Sequence, residues 1–371
     1  MKSCLAAIIL AAGFSSRMEP FKPLLPAGSE TITDRIITTF LRKGIEVYLV
    51  VGWRQDELKA GIKNYDITFV ENRDYAKGMF TSVQAGLRAL QANHKAFFIM
   101  PVDIPLVRPF TIKQLSEASE NQPDKIIYPV FRKMRGHPTL IPVKLVPFIL
   151  KWEKEGGLKA FLDTHEAMAS EVPVPDSNIL FDVDTPEDYR LLKERLQHDE
   201  IPTEDECEAI LSDICSVPQN VRSHSLKVAE IAQMIGQALL KAGQKPDLTV
   251  IRAAALLHDI ARGQTNHDAT GARMLEEMGF TLIGDIVSHH IDLPEDNSSV
   301  SLESRVVYLA DKFVQGEAVV PIEERFQSAI SRFGGTSEVE TKILRRKQQA
   351  LSMKAEFEAI IGRKLDTIIF R

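Results

Sequence analysis

LAAIILAAGFSSRMEPFKPLLP occupies residues 5–26, and the reading of this stretch decides the fold of the first half of the chain. Residues 5–10 form an unbroken apolar run, cut by Gly13 and then by the polar FSSRM. That pattern reads as a buried strand entering a loop rather than as the core of a secretory leader. Small residues at 11–13 let the backbone curl and turn its N–H groups toward phosphate oxygens. Arg17 and Lys22 add two positive charges at one mouth. A plain β–α turn with solvated basic residues would have the same composition. The pattern G-x-x-x-x-G-K-[ST] is absent and only one glycine is present, so neither a Walker loop nor a dinucleotide fingerprint is at hand.

Outward from this loop, short apolar runs alternate with helix-like segments. The runs are LAAIIL (5–10), EVYLVV (46–51), ITFV (67–70), AFFIM (96–100) and KIIYPV (125–130). Between them lie TDRIITTFLRKG (33–44) and FTSVQAGLRALQ (80–91). Such alternation predicts an α/β fold with a mostly parallel sheet. Thr33-Asp34 and Thr81-Ser82 are candidate N-caps, and Gly44 a candidate C-cap. Beyond residue 200 the character changes. SHSLKVAEIAQMIGQALLKAG, TVIRAAALLHDIAR, DATGARMLEEMG and LESRVVYLADKF all suit a helical period, and two further helices follow, EERFQSAISRF and one around 338–361. The second half is therefore expected to be all-α.

The chain has 371 residues, enough for two or three domains. Residues 1–200 hold 26 basic and 26 acidic side chains; residues 201–371 carry the whole net charge of −6. That balance argues against a general nucleic-acid binder. The join HDEIPTEDECE (198–208), with six acidic residues and a proline, reads as a linker or an exposed helix start. The expected division is 1–197, a linker at 198–208, and 209–371. Three cysteines without C-x-x-C spacing fit a reducing, cytoplasmic setting. No stretch reaches the ~18 apolar residues of a membrane span. Cys4 is expected to be buried near the first strand, and His94, His165 and His198, with no evident partners, to face solvent.

LAAGFSSRMEPFK resembles the signature loop L-A-[AG]-G-x-S-x-R-[MF]…K of nucleotidyltransferases of the molybdenum-cofactor type. Further matches follow in order: NRDYAKGMFTSVQAGL (72–87), MPVDIPLV (100–107), RGHPTLI (135–141) and FDVDTPEDY (181–189). The resemblance implies a Rossmann-like nucleotidyltransferase fold. It implies a nucleotide site built from Leu10, Ala11, Ala12, Gly13, Ser15, Arg17, Lys22 and Ser82. Arg17, Lys22 and Asp103 would carry catalysis. Asp103 follows an apolar run, where ligands of open α/β sheets sit, and would hold Mg²⁺ with Asp184, or with Asp182 as the alternative. Gly136 and His137 would meet the acceptor. The implied reaction is attack of an acceptor phosphate on the α-phosphorus of a nucleoside triphosphate, with release of pyrophosphate. A-A-G at 11–13 is similar to the cytidylyl members, so CTP and the molybdopterin cofactor are the expected partners.

The second half carries His224, His258, Asp259, His267, His289, His290 and Asp311 in the spacing H-x33-H-D-x7-H-x21-H-H-x20-D. Imidazoles with carboxylates suit divalent Fe, Mn, Zn or Co. Asp259 ends the apolar helix IRAAALL, and an aspartate there must be paired or metal-bound. The series resembles the HD-domain metal-dependent phosphohydrolases over roughly 220–315. It implies one metal on His224, His258, Asp259 and Asp311, and a second on His267, His289 and His290 bridged through Asp259. Lys312 or Arg262 would steer a small phosphorylated ligand. Residues 320–371 would pack on the bundle or mediate self-association. Two other readings stand beside this one: a sugar-phosphate or alditol-phosphate nucleotidyltransferase, and a helical half that senses a ligand without catalysis.

Overall fold

A computed structural model describes residues 4–14, 21–294, 299–333 and 336–370. Ser15 and Arg17 lie outside the described residues. The chain divides into two compact units, 1–199 and 200–371.

The first unit is built on a sheet whose strands are β1 (Leu5–Ala11), β2 (Glu46–Val51), β3 (Thr68–Glu71), β4 (Ala96–Pro101), β5 (Ile126–Phe131), β6 (Met134–Arg135), β7 (Thr139–Pro142) and β8 (Ala169–Pro173). Their order is β8-β5-β7-β4-β1-β2-β3, with β6 paired to β5. β1 is parallel to both β2 and β4, and β2 to β3; β7 runs antiparallel to β4 and β5. The sheet is thus mostly parallel, as the alternation of runs and helices predicts. Six of the seven residues of β1 are buried, which is why this strand reads as a continuous apolar run rather than an alternating one.

Helices α1 (Ile32–Leu41), α2 (Gln55–Gly61), α3 (Met79–Ala89) and α4 (Pro109–Asn121) connect the strands, and α5 (Pro186–Gln197) follows the last of them. The caps differ from the sequence expectation. Thr31, not Thr33, caps α1, in a reciprocal box with Asp34; Gly78 precedes α3. Thr33 is wholly buried and its hydroxyl donates to the Pro23 carbonyl at 2.7 Å, so it is spent on packing. Gly44 lies beyond the end of α1 with φ +69°.

Three other expectations are corrected. Cys4 is exposed, because it precedes the buried part of β1. His94 has a fully buried side chain: Nε2 lies 3.1 Å from Glu46 Oε2, and Nδ1 accepts from the Gln91 N–H. His165 stacks on Phe161 at 4.3 Å between ring centroids, with Nδ1 2.9 Å from the Phe161 carbonyl. His198 is exposed.

Gly136 fixes the loop between β6 and β7. Its N–H donates to Pro129 O, and a Cβ placed there would lie 2.4 Å from the Ile179 carbonyl oxygen. Backbone cannot yield as a side chain can, so Gly136→Ala should destabilise the first unit by about 1–3 kcal/mol. Urea unfolding should show a lower midpoint at unchanged slope; an unshifted midpoint would refute the tight contact.

The second unit is helical: α6 (Glu204–Ala209), α7 (Gln219–Lys241), α8 (Leu248–Leu257), α9 (His267–Met278), α10 (Thr281–Ser288), α11 (Leu302–Lys312), α12 (Ile322–Phe333) and α13 (Ser337–Ile361). α7 packs on α8 and α11, and α9 on α10. The stretch 198–208 is not a free linker throughout. Thr203 and Glu206 form a capping box at α6, and Glu206 and Cys207 are buried. The acidic run is a helix start, where carboxylates complement the unsatisfied N–H groups.

Candidate functional site

The register of β1 on β4 sets Leu10 opposite Pro101, so the chain leaves both strands side by side at their carboxyl ends. A cavity of about 420 Å³ opens there. Leu10, Ala11, Ala12, Gly13, Lys22, Ser82, Asp103 and Asp184, all singled out in the sequence, line it. Lys22 is 7% exposed, and its Nζ donates to Asp184 Oδ1 at 2.7 Å. The Val183 N–H donates to the Asp103 carbonyl at 2.8 Å, which ties the segment carrying Asp184 to the loop carrying Asp103. Thr185 and Asp188 then cap the helix Pro186–Gln197. Asp182 is exposed and does not line the cavity. Burial raises the pKa of Asp103; Lys22 lowers it, and the Asp184 carboxylate raises it again. Two carboxylates at one cavity, Asp103 and Asp184, make a donor set that fits a divalent cation.

Several lining residues were not marked by the sequence reading. Phe14 and Tyr75 meet edge to face at 5.3 Å, and Trp53 lies 5.5 Å from Phe14. Gly52 allows this approach: a Cβ there would meet the Cβ atoms of Ala12 and Tyr75 at 2.9 Å. Asn72, buried at the end of β3, donates from Nδ2 to the hydroxyls of Thr81 and Ser82 at 2.9 Å. It thereby orients Ser82 at the cavity wall.

Gly136 and His137 do not line this cavity. The His137 N–H donates to Ile179 O at 2.9 Å, and its Nδ1 is buried without a hydrogen-bond partner. Burial lowers the pKa of His137, opposed by the Asp182 carboxylate.

In the second unit the elements converge on Asp259. α7 buries Val221, His224, Ser225 and Val228 on one face, which turns His224 inward. The apolar α8 delivers His258 and Asp259 at its end. His224 Nε2 and His258 Nε2 lie 3.7 and 3.4 Å from Asp259 Oδ2. His267 Nε2 and His290 Nε2 lie 3.3 and 3.6 Å from Asp259 Oδ1. One carboxylate therefore joins two clusters, His224–His258–Asp259 and Asp259–His267–His290. Asp311 Oδ1 stands 3.2 Å from His224 Nε2 and 3.9 Å from His258 Nε2. The Nδ1 atoms of His224, His258 and His290 sit 2.7–2.8 Å from backbone carbonyls, which assigns the proton to Nδ1 and leaves Nε2 to face the centre. Among the described residues, His258 Nε2 and His290 Nε2 are buried without a hydrogen-bond partner. Orphaned imidazole nitrogens beside carboxylates are what a pair of divalent ions requires, so the residues present fit such ions.

His289 is the exception among the expected ligands. Its Nδ1 is 2.8 Å from Asp285 O, and it joins neither cluster. Of two adjacent histidines just after α10, only His290 turns into the bundle. Burial alone would raise the pKa of Asp311, but Arg325 and Lys312 outweigh it and hold the carboxyl well below its usual range. Arg325 lies on α12, beyond the histidine series, and no sequence pattern marked it.

Residues 7–169 match the family described as MobA-like NTP transferase domain, and residues 221–315 match the HD domain. The chain is 32% identical over 194 residues to the molybdenum cofactor cytidylyltransferase of Escherichia coli, covering 52% of this chain and 97% of that protein. The chain is a MobA-like NTP transferase that also carries an HD domain. An uncharacterized protein of Methanocaldococcus jannaschii is 31% identical over 143 residues, 34% of this chain and 83% of that protein. Ribonuclease Y of Borreliella burgdorferi is 32% identical over 105 residues, which is 26% of this chain and 19% of that protein. Among solved structures, a nucleotidyl transferase from Methanothermobacter thermautotroptrophicus superposes with a TM-score of 0.47 at 20% identity, covering 53% of this chain and 98% of that one. The transferase match takes in Lys22 and Asp103 and ends before Asp184. The HD match takes in the imidazole clusters and ends before Arg325.

Proposed function

We propose that the first unit transfers CMP from CTP to the phosphate of the molybdenum-loaded molybdopterin cofactor, giving molybdopterin cytosine dinucleotide and pyrophosphate. The observation that carries this reading is the placement of Lys22, Asp103 and Asp184 around one cavity at the ends of β1 and β4. The likeness to the E. coli cytidylyltransferase over nearly its whole length supports the choice of nucleotide and acceptor. Asp103 and Asp184 would hold Mg²⁺, which would supply charge neutralisation at the reacting phosphates. Lys22 neutralises Asp184 before CTP arrives and is aimed to pair with the triphosphate afterwards. Ser82, fixed by Asn72, offers a hydroxyl to the nucleotide. Gly13 leaves open space for close backbone approach. No protein nucleophile is needed, because the acceptor phosphate is already ionised, and positioning with charge stabilisation does the work. Arg17, Ser15, Gly136 and His137 keep the roles the family resemblance implies. The setting is cytoplasmic.

Ala12 is buried at 2% exposure on the cavity floor. Its methyl group takes room beside the base and so disfavours a purine. Ala12→Gly should raise the GTP/CTP ratio of kcat/KM by about tenfold, on the scale of one apolar group in a pocket. An unchanged ratio would refute this role for the methyl.

The second unit is read as a phosphohydrolase for a small phosphate ester or nucleotide. The two clusters bridged by Asp259 would hold two divalent ions such as Fe, Mn, Zn or Co, which would supply Lewis acidity and activate water at neutral pH. A neighbouring cavity of about 500 Å³, lined by Arg262, His267, Lys312 and Arg325 among others, has room for the ester and cations to receive it. Phosphate release from a panel of nucleotides and phosphomonoesters, with EDTA as control, tests this reading. Pyrophosphate release from CTP, with and without the cofactor, tests the first.

A further inference from the structure

Asp311 is already surrounded by protein cations. Arg325 Nη2 lies 3.1 Å from Oδ1 and 3.2 Å from Oδ2, and Lys312 Nζ lies 2.8 Å from Oδ2, while His224 Nε2, whose ring carries its proton on Nδ1, faces Oδ1 at 3.2 Å. Both oxygens are engaged, so neither can serve a metal ion without release. The position explains the demand for cations. Asp311 is the penultimate residue of α11, where the negative end of the helix dipole disfavours a carboxylate.

The two cations differ in freedom. Lys312 is 7% exposed along its side chain, donates to the His290 carbonyl at 2.9 Å, and lies over the Tyr308 ring at 4.5 Å. It has nowhere to go. Arg325 comes from a separate helix, its side chain is 23% exposed, and its only other hydrogen bond among the described residues is from Nη1 to the Val314 carbonyl. It lines the same open cavity as Asp259, His267 and Arg262. A guanidinium prefers a phosphate, which it can grip with two parallel bonds, about as well as a carboxylate.

We propose that Arg325 is an exchangeable occupant of Asp311. It holds the carboxylate while the cavity is empty and moves onto the phosphate of an incoming phosphomonoester or nucleotide. The move frees an Asp311 oxygen for the ion held with His224, His258 and Asp259. Phosphate and metal then bind cooperatively, each strengthening the other by the same factor. The inference rests on the metal-centre reading above, and it adds a substrate-binding and coupling role for a residue outside the HD match.

The test uses the full chain and titration with Co²⁺, followed by the shift and intensification of its visible bands when imidazole nitrogens replace water around the ion. Wild type, Arg325→Gln and Arg325→Lys are compared with and without saturating inorganic phosphate. In wild type, phosphate should tighten Co²⁺ binding about tenfold, within the usual range of coupling between sites. Without phosphate, Arg325→Gln should bind Co²⁺ about tenfold tighter than wild type, and phosphate should add little further. Arg325→Lys should fall between. Equal or weaker Co²⁺ binding by Arg325→Gln in the absence of phosphate overturns the proposal. If wild type acquires no imidazole-type absorption at any Co²⁺ concentration, the metal-centre reading falls, and this one with it.

Discussion

Asp103→Asn should reduce CTP-dependent pyrophosphate release by at least about 10³-fold, a loss near 4 kcal/mol of transition-state stabilisation. The substitution keeps shape and removes one negative charge. Among the described residues, Asp103 and Asp184 line the cavity with Lys22, whose ammonium donates to Asp184. Neutralising Asp103 removes one of the two carboxylates that would hold a divalent ion. Thermal stability gives the second readout. Burial and the Asp184 charge raise the folded pKa of Asp103. A carboxyl whose folded pKa lies above its unfolded value costs stability at pH values above both, because ionisation is easier in the unfolded chain. The neutral amide removes that cost. Asp103→Asn should therefore unfold at the same temperature as wild type or higher, while losing turnover. A variant that is both inactive and less stable would mark Asp103 as structural.

Asp259→Asn should strip the second unit of both ions. Oδ2 serves the cluster with His224 and His258, and Oδ1 the cluster with His267 and His290. Losing even an outer-shell partner costs roughly 10–100-fold in metal affinity. Losing the shared carboxylate should cost more, and at both clusters together. Purified full-length chain should carry about two equivalents of transition metal, and Asp259→Asn close to none, with hydrolysis of phosphate esters lost in parallel. His289→Ala is the informative contrast. Its ring nitrogen Nδ1 is turned to the Asp285 carbonyl, so its metal content should match wild type. A loss of one equivalent in His289→Ala would mean that this ring turns inward when the ion is present. Two equivalents retained by Asp259→Asn would contradict the bridge.

The sheet was legible because all five quoted runs fall on its strands; those on β1, β2, β4 and β5 are continuous because these strands are buried on both faces, while the run at β3 marks a largely exposed edge strand. The floor of the first cavity was legible for the same reason: loops at strand ends keep their chemistry close in sequence. What escaped was set by packing between distant segments. Tyr75 reaches the cavity, with Trp53 beside it, because Gly52 lets two loops touch. His94 looked partnerless because its partner, Glu46, begins a different strand. In the second unit the order of imidazoles marked the centre, yet adjacency misled at His289 and His290, where a helix end sends neighbouring side chains in different directions. Arg325 carried no signal, since an arginine within EERF reads as the solvated face of an amphipathic helix, and only the fold brings it to Asp311.

The central claim is that the first cavity joins CMP to a phosphate-bearing acceptor. It is tested most directly by measuring pyrophosphate released from CTP by the full chain in the presence of Mg²⁺ and molybdenum-loaded molybdopterin. The account predicts release that requires the acceptor, matches the dinucleotide formed one for one, and is lost in Asp103→Asn. Absence of CTP turnover with this acceptor, or equal release in its absence, would contradict it.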